Sequence, residues 1–115
     1  MTNLPHERKP RLDGKVAIVT GAGASAAVVG NGQATAILFA YEGAKVLLVD
    51  NDEERVRGTL DAIKSHGGTA SVYTGDVTSA ESCRDMVQAA LDRYGSLDIL
   101  HNNVGIGGAG TVVEV

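Results

Sequence analysis

The stretch VAIVTGAGASAAVVGNG, residues 16–32, decides how this chain is read. A run of apolar and β-branched residues, 16–20, stops abruptly at Gly21. A loop rich in Gly and Ala follows. Then GQATAILFAYEG, residues 32–43, carries Ala34, Ile37, Leu38 and Tyr41 at helical spacing. The order is strand, glycine turn, helix. It gathers free backbone N–H groups and the positive end of a helix dipole at one spot, where a phosphate can sit. Glycine suits such a turn because a Cβ would obstruct both the close approach of a pyrophosphate and a positive φ.

Working outward, residues 1–13 read as a flexible lead-in, with Pro5 and Pro10 among charges, and residues 14–115 as the domain proper. Asp13-Gly14 is a turn. Residues 16–20 predict a strand buried on both faces, as in a parallel sheet. Helix one runs from near Gly32 to about Tyr41 and stops at Gly43. KVLLVD, residues 45–50, is a second strand ending on a carboxylate. Asp52 is placed to cap helix two, whose buried stripe is Val56, Leu60 and Ile63; Gly67-Gly68 ends it. ASVYT, residues 70–74, makes strand three. Thr78-Ser79-Ala80-Glu81 is a capping-box pattern opening helix three. Its inner face reads as Cys83, Met86, Val87, Ala90, Leu91 and Tyr94, with Gly95 closing it. DILH, residues 98–101, is strand four, with its outer edge left open; an open apolar edge recruits other chains.

Short apolar strands alternating with helices imply right-handed βαβ crossovers and a parallel sheet. The doubly wound order is 3-2-1-4, with a ligand crevice at the carboxyl ends of strands one and four.

Bulk properties narrow the function. A chain of 115 residues has room for one domain. A net charge of −4 argues against general nucleic-acid binding, which needs a basic surface. No apolar run has membrane-spanning length, and residues 1–15 lack the apolar centre of a signal peptide. Cys83 stands alone, so no intrachain disulfide forms and a cytoplasmic location is expected. His6, His66 and His101 show no metal-ligand spacing. His101 and Cys83 read as packing residues.

The carboxylate Asp50 lies 18 positions past Gly32. At the end of strand two it can accept hydrogen bonds from both ribose hydroxyls of an adenosine, and it would repel a 2′-phosphate. The competing reading is a helix-capping or solvated acid, since Asp52 lies nearby.

With these residues in view, the chain resembles the short-chain dehydrogenase/reductase family. The matching residues are Leu12-Asp13-Gly14-Lys15, Thr20-Gly21 with Gly30 and Gly32, Glu42-Gly43-Ala44, Asp50, Asp76-Val77 and Asn102-Asn103-Val104-Gly105. The resemblance implies a Rossmann-like α/β/α fold and a cofactor site formed by Gly21, Gly30, Asn31, Gly32, Asp50, Asn51, Asp76, Val77, Asn103, Val104 and Gly105. Asp76 and Val77 would lie along the adenine, and Asn102-Asn103 would stabilise strand four beside the cofactor. The cofactor expected is NAD rather than NADP, from Asp50 and the absence of a basic residue after it. The complete enzyme would oxidise an alcohol or reduce a ketone, and is expected to be a homo-oligomer.

Two departures stand out. Gly30 follows Gly21 by nine positions where the family's turn has four, so residues 24–29 hold about five extra residues. Doubling a loop costs only ~0.6 kcal/mol in closure entropy, so folding tolerates it. A rival register, Gly21-x-Gly23-x-x-Ala26, would instead bury Gly30, Asn31 and Gly32 in a helix, at ~1 kcal/mol per glycine. The long loop is preferred. Val104 also stands where the family usually has alanine.

The family's catalytic Ser and Tyr-x-x-x-Lys are absent from these residues, so no catalytic residue is assigned. Tyr41 and Lys45 have the spacing, but Gly43 separates a helix end from a strand start. The length implies a fragment, a truncated product or an incomplete gene model. The rival functions are an inert nucleotide-binding or regulatory module, and a methyltransferase-like domain.

Overall fold

The computed structural model describes residues 11–22, 31–75, 79–102 and 111–114. Their elements run β1 (Val16–Thr20), α1 (Asn31–Tyr41), β2 (Lys45–Asp50), α2 (Glu53–Ser65), β3 (Thr69–Thr74), α3 (Ala80–Tyr94), β4 (Ile99–Asn102) and β5 (Thr111–Glu114). The sheet order is β3-β2-β1-β4-β5. β1 to β4 pair in parallel, in the expected 3-2-1-4 order. α1 begins at Asn31, where the long-loop reading puts it.

One strand escaped the sequence reading. β5 runs antiparallel to β4, with Asn102 opposite Thr111 and Ile99 opposite Glu114. The edge of β4, expected to be open, is therefore paired over its whole length and offers no free edge to another chain. A four-residue strand after a glycine-rich stretch leaves no periodicity to read.

The central strands are buried on both faces because each carries apolar residues without alternation. Val19, Val46 and Leu48 face one layer, with Ala36 and Ala40 of α1 and Val56 and Ile63 of α2. Val16, Ile18, Leu47 and Val49 face the other, with Met86 and Ala90 of α3. The result is three layers, helix on sheet on helix.

Two helix faces differ from expectation. On α1, Leu38 and Tyr41 are 56% and 70% exposed, while Ala36 and Ala40 are buried. From Ala34 onward every α1 side chain except Thr35 is apolar, so spacing does not single out a face. The small residues win because they let the helix lie close on the sheet. Leu38 and Tyr41 instead line an apolar groove of about 700 Å³ with the C-terminal end of α2. On α3, Leu91 is 41% exposed; Met86 and Ala90 form the buried face, flanked by Cys83, Val87 and Tyr94. Tyr94 is anchored by its hydroxyl, 2.7 Å from Ser71 Oγ.

The caps follow local chemistry. Asp52 caps α2, accepting from the Glu54 N–H at 3.0 Å. The motif at 78–81 opens α3, but the cap is Ser79, whose Oγ accepts from the Ser82 N–H at 3.3 Å. Ser79→Ala should therefore cost about 1 kcal/mol and lower Tm by about 4 °C. Thermal unfolding checks this, and an unchanged Tm would remove Ser79 as the cap.

The turn before β1 is clamped from a distance. The Arg11 N–H donates to Glu42 Oε1 at 3.1 Å and the Leu12 N–H to the Glu42 carbonyl at 2.7 Å. The Asp98 carboxylate accepts from the Val16 N–H at 2.8 Å, holding the start of β1 beside the approach to β4.

Candidate cofactor site

The sheet order leaves β1 between β2 and β4, with β2 on one side of the β1–β4 pair and β5 on the other. In sheets of this order ligands bind beyond the carboxyl ends of the two central strands. Thr20, the last residue of β1, is buried and ties the two strands. Its hydroxyl donates to Asn102 Oδ1 at 2.9 Å, with the His101 carbonyl oxygen at 3.4 Å. Gly21 follows with φ of 61°, the left-handed region in which a Cβ is strained. Ala22 is then held on both sides. Its N–H donates to the Val49 carbonyl at 3.2 Å, and its carbonyl accepts from the Thr59 hydroxyl at 2.8 Å.

Asp50 ends β2 half-buried, with exposed Asn51 beside it. Its Oδ1 accepts from the Asp52 N–H at 3.1 Å, and its backbone carbonyl accepts from the Gly75 N–H at 3.2 Å. Asp52, paired with Arg55 at 3.5 Å, is the helix cap. The two acids therefore do different work. Asp50 shapes the bend after β2 and presents its carboxylate at the strand's carboxyl end.

The structure brings Gly21, Asp50, Asn51 and the first turn of α1, Asn31 and Gly32, to that end of the sheet. Gly30, Asp76, Val77, Asn103, Val104 and Gly105 lie outside the described residues. Sequence reasoning missed Thr59. The signal was there: a hydroxyl between Val56 and Ile63 on the buried stripe of α2.

The donor set suits a dinucleotide. Backbone N–H groups at a helix start meet phosphates, and a carboxylate at the neighbouring strand end meets ribose hydroxyls. Among the described residues no group of three or more His, Cys, Asp or Glu could hold a metal. No helix among them is long and apolar enough to cross a membrane. The tyrosines are placed for packing or solvent. Tyr41 is exposed, and Gly43 with φ of 96° breaks the helix before Lys45. Tyr73 packs beneath α3 and Tyr94 bonds Ser71. His101 meets the Phe39 ring edge-on, centroids 6.3 Å apart, as a packed strand residue.

The parallel 3-2-1-4 order with helices on both faces defines the doubly wound α/β class. Residues 15–115 match the short chain dehydrogenase family model. The chain belongs to that family, whose members use NAD(P). It is 42% identical over 103 residues to an uncharacterized oxidoreductase of Thermotoga maritima, covering 90% of this chain and 38% of the relative. It is 41% identical over 98 residues to the 7alpha-hydroxysteroid dehydrogenase of Escherichia coli, covering 85% of this chain and 36% of that one. Among solved structures, it superposes on a hydroxysteroid dehydrogenase from Escherichia coli with a TM-score of 0.76 at 41% identity, over 85% of this chain and 38% of the other. Glucose dehydrogenase of Caenorhabditis elegans gives a TM-score of 0.74 at 37% identity, over 84% and 40%. The chain thus spans well under half the length of these relatives.

Proposed function

We propose that this chain is the cofactor-binding portion of an NAD-dependent oxidoreductase that interconverts a small-molecule alcohol and its ketone. The observation that carries the reading is Asp50, a carboxylate at the carboxyl end of β2, one strand away from the glycine turn that leaves β1. A carboxylate there favours a free ribose 2′-hydroxyl over a 2′-phosphate. Gly30, Asn31, Gly32, Asp76, Val77, Asn103, Val104 and Gly105 complete the proposed site. The complete enzyme acts as a homo-oligomer in the cytoplasm.

Proteins named for a hydroxysteroid and for glucose match this stretch at similar identity, 41% and 37%. Identity over this stretch therefore does not single out a substrate.

A second reading, a nucleotide-binding module without chemistry, is favoured by the tyrosines, none of which shares a face with a lysine four residues on. One titration addresses both. The purified chain should enhance NADH fluorescence on binding, while S-adenosylmethionine leaves its spectra unchanged. No NADH binding at millimolar concentration overturns the cofactor reading; binding with no ketone-dependent NADH oxidation favours the inert module.

A further inference from the structure

We infer that Thr59, on α2, is a positioning residue for the phosphate turn, holding the chain where it leaves β1 through the Ala22 carbonyl. The inference rests on the cofactor reading above, and it assigns a role to a residue in no glycine motif.

A threonine inside a helix ordinarily turns its hydroxyl back to a carbonyl of its own preceding turn. Thr59 does not. It is 0% exposed, and its Oγ1 donates at 2.8 Å to the Ala22 carbonyl, 37 residues away in sequence. Val56 and Ile63, on the same stripe, are buried in the core, so the helix face itself is fixed. The other half of the clamp is the Val49 carbonyl, which accepts from the Ala22 N–H at 3.2 Å. Ala22 is itself 0% exposed, so water cannot substitute for either partner. Gly21, with its φ of 61°, sets the direction in which the chain leaves the strand, and the two bonds at Ala22 hold that direction.

The contact also joins α2 to the turn. α2 starts three residues after Asp50, so the helix that follows the ribose-binding acid grips the segment leading to the phosphate site.

The test compares Thr59→Ser, which keeps the hydroxyl, with Thr59→Ala, which removes it. The whole chain is used, with ADP, adenosine and NADH as probes in chemical-shift titrations. Thr59→Ala should weaken ADP and NADH about 10-fold and leave adenosine within about 2-fold, since the loss falls on the phosphates. Thr59→Ser should stay within about 2-fold of the parent for all three. Amide exchange without ligand gives a second readout: the Ala22 N–H should exchange about 10-fold faster in Thr59→Ala, with Ile18 unchanged. Equal behaviour of Ser and Ala variants overturns the inference, as does a loss shared equally by adenosine and ADP, or unchanged Ala22 exchange. If the parent chain binds no NADH, the cofactor reading fails, and the role at the phosphate turn with it; exchange at Ala22 then decides the anchor alone.

Discussion

Leu48→Ala is expected to lower the unfolding free energy by about 2–5 kcal/mol, towards the upper end of that range. Leu48 is fully buried in the middle of β2, between Val19 of β1 and Val72 of β3. Above it lie Ala36 and Ala40 of α1 and Val56 and Ile63 of α2. A cavity left there is hard to close. Two of the four helix residues above it are alanine, which has no longer rotamer to swing inward, and the strand is hydrogen-bonded on both edges. Domains of this size hold only about 5–15 kcal/mol in total, so the loss is a large share. Urea unfolding should show a lower midpoint at unchanged m. Leu91→Ala is the control. Its side chain is 41% exposed, so it should cost well under ~1 kcal/mol. Equal losses at the two positions would mean that the buried face of α3 is misassigned.

The second large effect falls on cofactor choice. Asp50→Asn should weaken NADH binding by about 10- to 150-fold, the equivalent of the ~1.5–3 kcal/mol carried by hydrogen bonds to a charged group. NADPH binding should improve over the same change, because the repulsion between a carboxylate and the 2′-phosphate is gone. Asparagine is chosen because it keeps an oxygen for the Asp52 N–H, now 3.1 Å from Asp50 Oδ1. The bend into α2 and its cap at Asp52 then survive, and a change in affinity reports the charge rather than the fold. Paired titrations with NADH and NADPH, alongside a melt, decide it. A preference that does not move would remove Asp50 from the ribose contact and leave it as the acid that shapes the bend.

Much of the architecture follows from local signals. The run 45–50 has no alternation, so a strand buried on both faces is its natural state. Asp52 ahead of Glu53 and Glu54, with Val56 and Ile63 on one stripe, specifies both the start and the inner face of α2. The alternation of such strands with helices then restricts the sheet to the parallel order that is found. Asp50 could be located from sequence because its place depends only on where β2 ends.

The remaining features depend on contacts between distant residues. From Ala34 onward α1 is apolar but for Thr35, so its own sequence could not choose between the Leu38–Tyr41 side and the Ala36–Ala40 side. Close packing on the sheet made that choice, leaving Leu38 and Tyr41 outside. β5 exists only because β4 offers an edge to pair with. The same holds around the site. Thr20 meets Asn102 across 82 residues, Asp98 meets Val16 across 82, and Thr59 meets Ala22 across 37. A hydroxyl or carboxylate in the sequence announces that it needs a partner when buried, but not which one. Propensities and caps act within a few residues, and sequence alone carries them. The partners of Thr20, Thr59 and Asp98 were decided only when the sheet order brought the ends of β1, β2 and β4 together.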